Sequence, residues 1–346
     1  MLPNNNEKKT VSVLICNFSF LIFYMKIVYL GSGEFGIECL NAIENSGHEL
    51  VFVVTQPPNP AGRGRKPNPT PVARWAKKNE IPFIETDNAN TPETIEKISD
   101  FQPDLILVIA FGQKIGSDLI NLPPKGAINV HASLLPKYRG AAPINWTIIN
   151  GETKTGISII TLSKKIDAGK ILSQSQIEIE PDETAGSLHD RLAQLAVPLL
   201  METIDKIEVG TAVYIEQDDS KATAAPKLDK SIGFLDFSEP AQILERKIRG
   251  LCPWPGASAN YISRKTGKST RITIAMAEIV TTEKPVGLLP GRLDENLNII
   301  CGENALKVTQ IKPSGSALME FKDFVNGRHT EAGDMFEKIE IEKSLY

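Results

Sequence analysis

Short apolar runs alternate with amphipathic stretches from Met25 onward. The run Asp104–Ala110 is apolar after its first residue, which predicts a strand buried on both faces of a parallel sheet. Similar runs predict strands at Lys26–Leu30, Leu50–Thr55, Pro82–Glu85, Gly126–His131 and Gly156–Leu162. Helical periodicity predicts helices at Glu34–Asn45, Ala73–Asn79, Pro92–Ser99 and Ser187–Asp205. Strands that alternate with helices indicate a doubly wound, mostly parallel, Rossmann-like α/β sheet over residues 25–208.

The pattern changes after residue 208. Residues 209–230 show no sustained periodicity and predict a linker. Beyond them, Pro240–Arg249 predicts a helix, and short β-rich segments follow near Ala257–Ile262, Thr270–Val280, Gly291–Leu293, Leu297–Ile300 and Leu306–Ile311. Short strands separated by Gly and Pro predict a small, OB-like β-barrel over residues 231–330. Residues 331–346 are predicted to be an acidic tail.

Residues 1–24 stand apart from this pattern. Val11–Tyr24 is strongly apolar but too short to span a bilayer, and no small-residue cleavage site follows it. A strand begins immediately at Met25. We therefore expect Met25 to be the functional start and residues 1–24 to be an upstream extension. A membrane or targeting segment is the alternative.

Charge is unevenly distributed in this chain of 346 residues. Residues 1–220 carry a net charge of −6, residues 221–330 carry +5 and residues 331–346 carry −3, which together give the overall −4. A basic C-terminal region indicates a polyanionic partner such as a nucleic acid, with an unevenly charged solvated surface as the alternative. The four cysteines, Cys16, Cys39, Cys252 and Cys301, form no metal-binding or disulfide pattern, which favours a reducing, cytoplasmic setting.

Candidate chemistry lies at the end of the predicted strand Gly126–His131. Asn129 and His131 are two residues apart, so their side chains share one face of the strand. Asn129 can donate a hydrogen bond to a carbonyl under attack, and His131 can take or give a proton. Asp167 follows a later strand, at the C-terminal side of the sheet, and could orient the imidazole of His131. Taken singly, each residue is more often structural than catalytic.

A second pattern invites a different interpretation. Gly31-Ser32-Gly33-Glu34-Phe35-Gly36 matches the dinucleotide-binding pattern G-x-G-x-x-G between a strand and a helix. However, the second strand ends at Thr55-Gln56, where a ribose-binding acidic residue is expected. Glu34 would also place a charge beside a pyrophosphate. We therefore interpret the run as a tight turn, and an NAD-dependent dehydrogenase remains the rival enzyme class.

Four stretches together resemble the signature of the folate-dependent formyltransferases. They are Asn129-Val130-His131, Ser133-Leu134-Leu135-Pro136, Arg139-Gly140 and Asp167-Ala168-Gly169. The resemblance implies transfer of a formyl group from 10-formyltetrahydrofolate to an amine, with Asn129, His131 and Asp167 as the catalytic residues and no metal. Folate contacts are expected from Val108, Ile109, Ala110, Phe111 and Gly112 and from Ser133–Pro136.

Two further features resemble the branch of that family that acts on initiator methionyl-tRNA. The run Thr55–Lys66 resembles a basic loop that contacts the acceptor end of the tRNA, with Arg63 as its central arginine and Arg65 and Lys66 as further phosphate contacts. The segment Ile243–Gly256 resembles the opening of the family's barrel domain. Lys227 and Lys230 are added as phosphate contacts, and Trp254 is interpreted as a packing residue. The chain is expected to act as a monomer, with no membrane partner.

Three alternatives stay open at this stage. The nearest is a folate-dependent formyltransferase for another amine, such as a purine precursor or an amino sugar. The second is the dehydrogenase. The third is a non-catalytic RNA-binding homologue, which would have little reason to keep all three catalytic residues.

Overall fold

The computed structural model describes residues 24–61, 66–282 and 289–340. In its N-terminal part the elements are β1 Lys26–Gly31, α1 Ile37–Glu44, β2 Glu49–Thr55, β3 Asn59–Ala61, β4 Lys66–Asn68, α2 Pro71–Lys78, β5 Phe83–Glu85, α3 Pro92–Asp100, β6 Leu105–Ile109, α4 Ser117–Ile120, β7 Ala127–His131, β8 Arg139–Gly140, α5 Pro143–Ile149, β9 Lys154–Thr161, β10 Ile171–Glu178 and α6 Ala185–Glu208.

Later elements are β11 Ala224–Ala225, α7 Ala241–Gly250, β12 Ala257–Ile262, β13 Ser269–Val280, β14 Ile299–Ile300, β15 Ala305–Pro313, β16 Met319–Glu320, α8 Phe321–Arg328 and β17 Met335–Glu337. Every strand and helix predicted before residue 208 is present within a few residues of its expected ends. Sequence reasoning missed the edge strand β10 and the helix α5, because their polar and apolar residues follow no clean period.

The N-terminal sheet has seven strands in the order β10-β9-β7-β6-β1-β2-β5. The strands from β7 to β5 are mutually parallel, whereas β9 runs antiparallel to β7 and β10 antiparallel to β9. The chain moves outward from β1 first to one side and then to the other, which confirms the doubly wound, mostly parallel topology. Ligands of such sheets bind beyond the carboxyl ends of the parallel strands, near the strand where the direction reverses.

Burial on both faces explains the continuous apolar runs. In β1, Ile27 and Tyr29 pack with α1 and α6 on one face, while Val28 and Leu30 pack with α3 and α4 on the other. The same alternation holds in β6, where all five residues are buried. A strand covered on both faces cannot show a polar period, so the apolar run itself is the signal.

The C-terminal sheet is antiparallel, with strand order β14-β15-β13-β12-β17 and β16 paired to β15. Arg292 bridges to Met335 of β17, and Leu293 bridges to Ile299 of β14, so the short segment predicted as the strand Gly291–Leu293 links the two ends of the sheet into a nearly closed barrel. The predicted acidic tail needs correction. Met335–Glu337 is a barrel strand that pairs antiparallel with β12, and Asp334 just before it is buried and accepts a hydrogen bond from the Tyr261 hydroxyl.

The two sheets belong to parts of the chain that contact each other through helices. Helix α7, which opens the barrel part, packs on α5 next to the N-terminal sheet. Gly250 permits this approach, because a Cβ there would come within 2.6 Å of Ile149. The Asn145 side chain of α5 donates to the Gly250 carbonyl at 2.8 Å, and Arg249 donates to the Glu183 carbonyl at 3.0 Å.

Candidate active site

Asn129 and His131 lie on β7 as expected, at the carboxyl end of the parallel part of the sheet. Asn129 is paired with Val108 of β6 in parallel register, and His131 is opposite Ser158 of the antiparallel β9. Their side chains therefore share one face. His131 is only 5% exposed, whereas Asn129 is half-buried and lines the adjacent cavity.

The imidazole of His131 has a fixed hydrogen-bond partner. Its Nε2 lies 2.9 Å from the Tyr138 carbonyl oxygen. A carbonyl can only accept, so Nε2 must carry the proton in that contact. In the neutral ring the lone pair then belongs to Nδ1, which leaves that nitrogen as the one that can take up a proton.

The carboxylate of Asp167 lies close to both His131 and Asn129. One carboxylate oxygen lies 3.6 Å from His131 Nδ1, and the other lies 3.5 Å from Asn129 Nδ2. The Gly140 backbone N–H donates to the Asp167 carboxylate at 2.9 Å. The carboxylate is thus held by a main-chain donor and faces the imidazole and the amide together.

The chain segment that places Asp167 next to His131 follows a different path from the one expected from the sequence. That argument placed Asp167 beyond a strand end on the same edge as His131, but β9 runs antiparallel, and its last residue, Thr161, pairs with Ile128 near the start of β7. The loop of residues 162–170 instead folds back over the face that carries Asn129 and His131. Asp167 has a φ of +52°, in the left-handed region that L-residues rarely adopt.

The loop that supplies the partners of His131 and Asp167 contains Arg139-Gly140 of the family signature, but the sequence analysis assigned no role to its backbone. Tyr138 gives its carbonyl to His131 and Gly140 gives its N–H to Asp167. The Tyr138 hydroxyl donates to Glu152 at 2.9 Å, and burial raises the pKa of Tyr138 to about 12. A backbone partner leaves no side-chain pattern in a sequence, so only a three-dimensional structure reveals it.

A cavity of about 650 Å³ opens beside these residues. Of the predicted folate contacts, Val108, Ala110, Phe111 and Gly112 line it, whereas Ile109 is fully buried in the core on the opposite face of β6. The alternation of a strand explains the difference. Cavity-lining residues that the sequence reasoning missed include Phe35, Pro143, Asn145 and His189.

Ser133–Pro136 does not line the cavity, which corrects the expected location of these four residues. Ser158 Oγ accepts from the Leu135 N–H at 3.0 Å and donates to the Ser133 carbonyl at 2.6 Å. Gln174 donates to the same Ser158 oxygen at 2.7 Å and to the Leu135 carbonyl at 2.9 Å. The turn is therefore anchored to β9 and β10, and it supports the end of β7 from behind.

The glycine-rich run has a packing role. A Cβ at Gly31 or at Gly36 would collide with the Tyr29 hydroxyl, whose ring is fully buried between them. Both glycines are thus explained by the bulk of one tyrosine, without a pyrophosphate.

Gln56, at the position where a dinucleotide-binding protein would carry an acid, has another partner. Its side chain donates to the Phe111 carbonyl at 2.8 Å, and its backbone N–H is bonded to Ser32 Oγ at 3.1 Å. Gln56 therefore fixes the cavity loop after β6. The structure supports the interpretation of a tight turn.

The predicted tRNA contacts lie outside the cavity or outside the described residues. Arg63 and Arg65 fall in the undescribed stretch, and only the backbone of Lys66 is described, at the start of β4, which pairs antiparallel with β3. Lys227 and Lys230 are exposed. Trp254 is 56% exposed, so its interpretation as a packing residue is wrong.

Other features of the described residues bear on function. Over residues 24–61, 66–282 and 289–340, no group of three or more His, Cys, Asp or Glu side chains is arranged to hold a metal ion. None of the helices within those ranges combines the length and the apolar character that a membrane crossing requires.

Comparison with known proteins identifies the family of this chain. Residues 25–204 match the family described as formyl transferase, and residues 227–329 match formyl transferase, C-terminal domain. The chain is 40% identical over 317 residues to the methionyl-tRNA formyltransferase of Alkaliphilus oremlandii, covering 90% of this chain and 99% of the relative. It is also 40% identical over 310 residues to that of Geobacter sulfurreducens, covering 89% and 96%.

A solved structure extends the comparison to the fold. The N-formyltransferase of Helicobacter canadensis, in complex with folinic acid and dTDP-3-aminofucose, superposes with a TM-score of 0.58 at 16% identity, covering 84% of this chain and 99% of that one. At that identity the likeness concerns the fold alone. On the strength of both matched domains and the full-length relatives, the chain belongs to the methionyl-tRNA formyltransferases within the formyl transferase family.

Proposed function

We propose that this protein transfers the formyl group of 10-formyltetrahydrofolate to the free amino group of initiator methionyl-tRNA. The observation that carries the proposal is the meeting of Asn129, His131 and Asp167 beside one cavity, in a chain whose relatives carry that activity by name. The product is N-formylmethionyl-tRNA, which serves translation initiation.

The cavity suits the folate donor. A volume of about 650 Å³ lies within the range of small-molecule sites, and its walls combine apolar side chains with backbone groups at a strand end. Ala110 and Gly112 both have positive φ, at +47° and +76°, so the chain turns sharply there and presents its backbone to the cavity. A pterin ring needs such backbone donors and acceptors between apolar walls. We assign Val108 and Ala110–Gly112 to the donor.

The reaction joins the methionyl nitrogen to the formyl carbon and breaks the bond from that carbon to N10 of the folate. The attacking amine loses a proton and N10 gains one. Asn129 has an amide donor for the carbonyl oxygen as that oxygen becomes negative. His131 Nδ1 is free to receive the proton and return it to N10, since Nε2–H is engaged by Tyr138. The Asp167 carboxylate faces Nδ1 at 3.6 Å and is placed to orient the ring during that exchange.

The acceptor side rests on charge. Residues 221–330 carry a net +5 on a chain whose remainder is acidic, and such a region attracts the phosphates of a tRNA. Arg63, Arg65 and Lys66 would extend this attraction toward the acceptor end, and Lys227 and Lys230 toward the stem. A tRNA-borne amine therefore fits the whole chain better than a small free amine does.

A transfer assay with two acceptors tests the proposal. The full chain is incubated with 10-formyltetrahydrofolate and either initiator methionyl-tRNA or a nucleotide-linked amino sugar. We expect formylation of the methionyl-tRNA alone. Transfer to the sugar in place of the tRNA would instead favour a formyltransferase for another amine, and no transfer to either would remove the assignment. Replacing methionyl-tRNA by free methionine controls for the contribution of the tRNA body.

A further inference from the structure

Residues 209–230, the segment that connects the two domains, pack against both loops of the active site. Thr223 bonds to the Tyr138 N–H through its hydroxyl at 2.8 Å and to the Arg139 N–H through its carbonyl at 2.8 Å. Ala224 and Ala225 form β11, which pairs in parallel with β8. This connecting segment therefore fixes the backbone that serves His131 and Asp167, which a passive linker would not do.

Gln217 is the inward-facing side chain of residues 213–221 in this segment. Every other residue from Val213 to Lys221 is exposed. Its Nε2 donates to the Asp167 carbonyl at 2.9 Å and to the Gly169 carbonyl at 2.7 Å. Its Oε1 accepts from Arg139 Nε at 3.0 Å and Nη2 at 2.7 Å. Both donor hydrogens and both lone pairs of the amide are used. The reverse orientation would oppose oxygen to two carbonyls, so the assignment of the two ends is unambiguous.

The loop that Gln217 holds is one that needs support. Asp167 has a left-handed backbone with a φ of +52°, a strained conformation for a non-glycine residue that persists only when its surroundings impose it. Gly169 is pressed against Thr161, since a Cβ there would collide with the Thr161 carbonyl. Two carbonyls on either side of Ala168 point to the same amide, which clamps the turn at the residue whose carboxylate faces His131.

Ion pairs secure the same segment on either side. Asp219 binds Arg139 at 2.7 Å and Lys165 at 2.8 Å, and hydrogen bonds from both cations hold the pKa of Asp219 below its usual range. Glu216 pairs with Lys170 at 2.9 Å. Arg139 is 10% exposed, so it depends on Gln217 and Asp219 for its partners. The loop of residues 162–170 is thereby attached at three points to the connecting segment.

We propose that Gln217 is a positioning residue for formyl transfer: its amide fixes the backbone of Asp167 and so places the carboxylate that serves His131 and Asn129. The proposal rests on the proposed function. It makes the connection between the domains a working part of the active site, because displacement of this segment would move Asp167.

Two substitutions at this position separate positioning from simple charge balance. Gln217→Glu keeps an oxygen for Arg139 and adds a favourable charge, but it loses both donations to the loop and opposes an oxygen to two carbonyls. Gln217→Ala loses every contact. If Gln217 only satisfied Arg139, the Glu variant would behave as the wild type. If it positions Asp167, both variants lose kcat, by about tenfold to a hundredfold, as expected for a small displacement of a reacting group.

Kinetics and thermal stability are measured together, with Asp218→Asn as the matched control. That variant removes the charge of a neighbouring exposed side chain and is expected to retain the wild-type kcat. For Gln217→Glu we expect KM for folate and for methionyl-tRNA to change less than threefold while kcat falls. A wild-type kcat in Gln217→Glu, or a loss confined to KM or to Tm, would overturn the proposal. Wild-type transfer in the same assay verifies the underlying function independently.

Combination with Asp167→Asn supplies the second readout. If Gln217 acts through Asp167, then Gln217→Glu should reduce kcat much less in the Asp167→Asn background than in the wild type, because the group it positions has already been altered. Equal fold-losses in both backgrounds would contradict a route through Asp167.

Discussion

The surroundings of Asp167 and the proposed tRNA-binding region depend on different kinds of contact. Around Asp167, hydrogen bonds fix the polar groups in place: Arg139 is 10% exposed, and three of its nitrogens bind Gln217 and Asp219. On the connecting segment and the barrel, Lys227 and Lys230 are exposed cations on a region of net charge +5. Formyl transfer requires fixed distances between the reacting groups, whereas the electrostatic field of a basic region can attract a tRNA without them. A single substitution should therefore cause a large loss of kcat in the first region and only a small loss of tRNA affinity in the second.

Asp167→Ala tests the region around Asp167 and should have the largest effect of the variants proposed here. It removes the carboxylate that faces both His131 and Asn129, and we expect kcat to fall by about 10²–10³-fold or more. The protein should remain folded, since the Gly140 N–H is the main partner lost. Steady-state transfer to methionyl-tRNA and a thermal melt measure the two quantities.

Asp218→Asn is the control for that experiment. Asp218 is an exposed carboxylate of the connecting segment that bonds with Ser220 and Lys221, away from the cavity. It should retain full activity. Near-normal activity in Asp167→Ala would show that the carboxylate has no part in the reaction and that the contrast between the two regions is unfounded.

Arg63→Ala should have the next largest effect, and it should act on the acceptor alone. A lost arginine–phosphate contact predicts a rise of about tenfold in KM for methionyl-tRNA, with KM for folate unchanged. Arg63→Lys separates charge from geometry, because lysine keeps the charge but not the planar fork. Equal losses for tRNA and folate would assign the loop to the cavity.

Lys227→Gln and Lys230→Gln test the proposed tRNA-binding region. Each removes one exposed cation, so each should weaken tRNA binding several-fold and reduce the steepness of its salt dependence by roughly one unit per phosphate contact. Binding is measured between low and physiological salt. Lys97→Gln, a cation of α3 paired with Glu93, is the control and should leave the salt slope unaltered. An unchanged slope in both lysine variants would remove them from the interface.

The same division explains how far the sequence could predict the structure. Asn129 and His131 share a face because strands alternate, so their proximity followed from spacing. Proximity of Asp167 was predicted from its place after the strand Gly156–Leu162, and the structure does bring it close, but the reason was wrong, since β9 runs antiparallel to β7. Strand direction depends on which neighbour a segment pairs with, and that choice is made by the whole sheet.

Other contributors were invisible for a related reason. Tyr138 acts through its carbonyl and Gly140 through its N–H, and every residue except proline has both groups. Gln217 lies in a stretch without periodicity, which is why residues 209–230 were predicted to be a linker. A chain segment that works by filling hydrogen bonds needs no apolar pattern. The exposed Trp254 was misjudged because flanking prolines indicate a turn but carry no information on which side faces solvent.

Asp236→Asn should have the smallest effect, and it lies wholly in the barrel. Hydrogen bonds from Ser238 and Lys338 lower the pKa of Asp236 to about 2. A folded-state pKa below the unfolded value of about 3.9 gives stability that is present above that value and is lost as the pH falls toward 2. Asp236 is about one-third exposed, so solvent screening limits the gain to about 0.5 kcal/mol.

The asparagine variant should therefore melt slightly below the wild type at pH 7, and the difference should shrink below pH 3. Glu303→Gln, which removes an exposed carboxylate of the same domain, is the matched charge control for these melts. Transfer activity at pH 7 should equal that of the wild type, because Asp236 does not line the cavity and its partners are Ser238 and Lys338. A loss of kcat in Asp236→Asn with normal folding would mean that contacts inside the barrel affect the groups around Asp167. The contrast between the region around Asp167 and the basic C-terminal region would then be wrong.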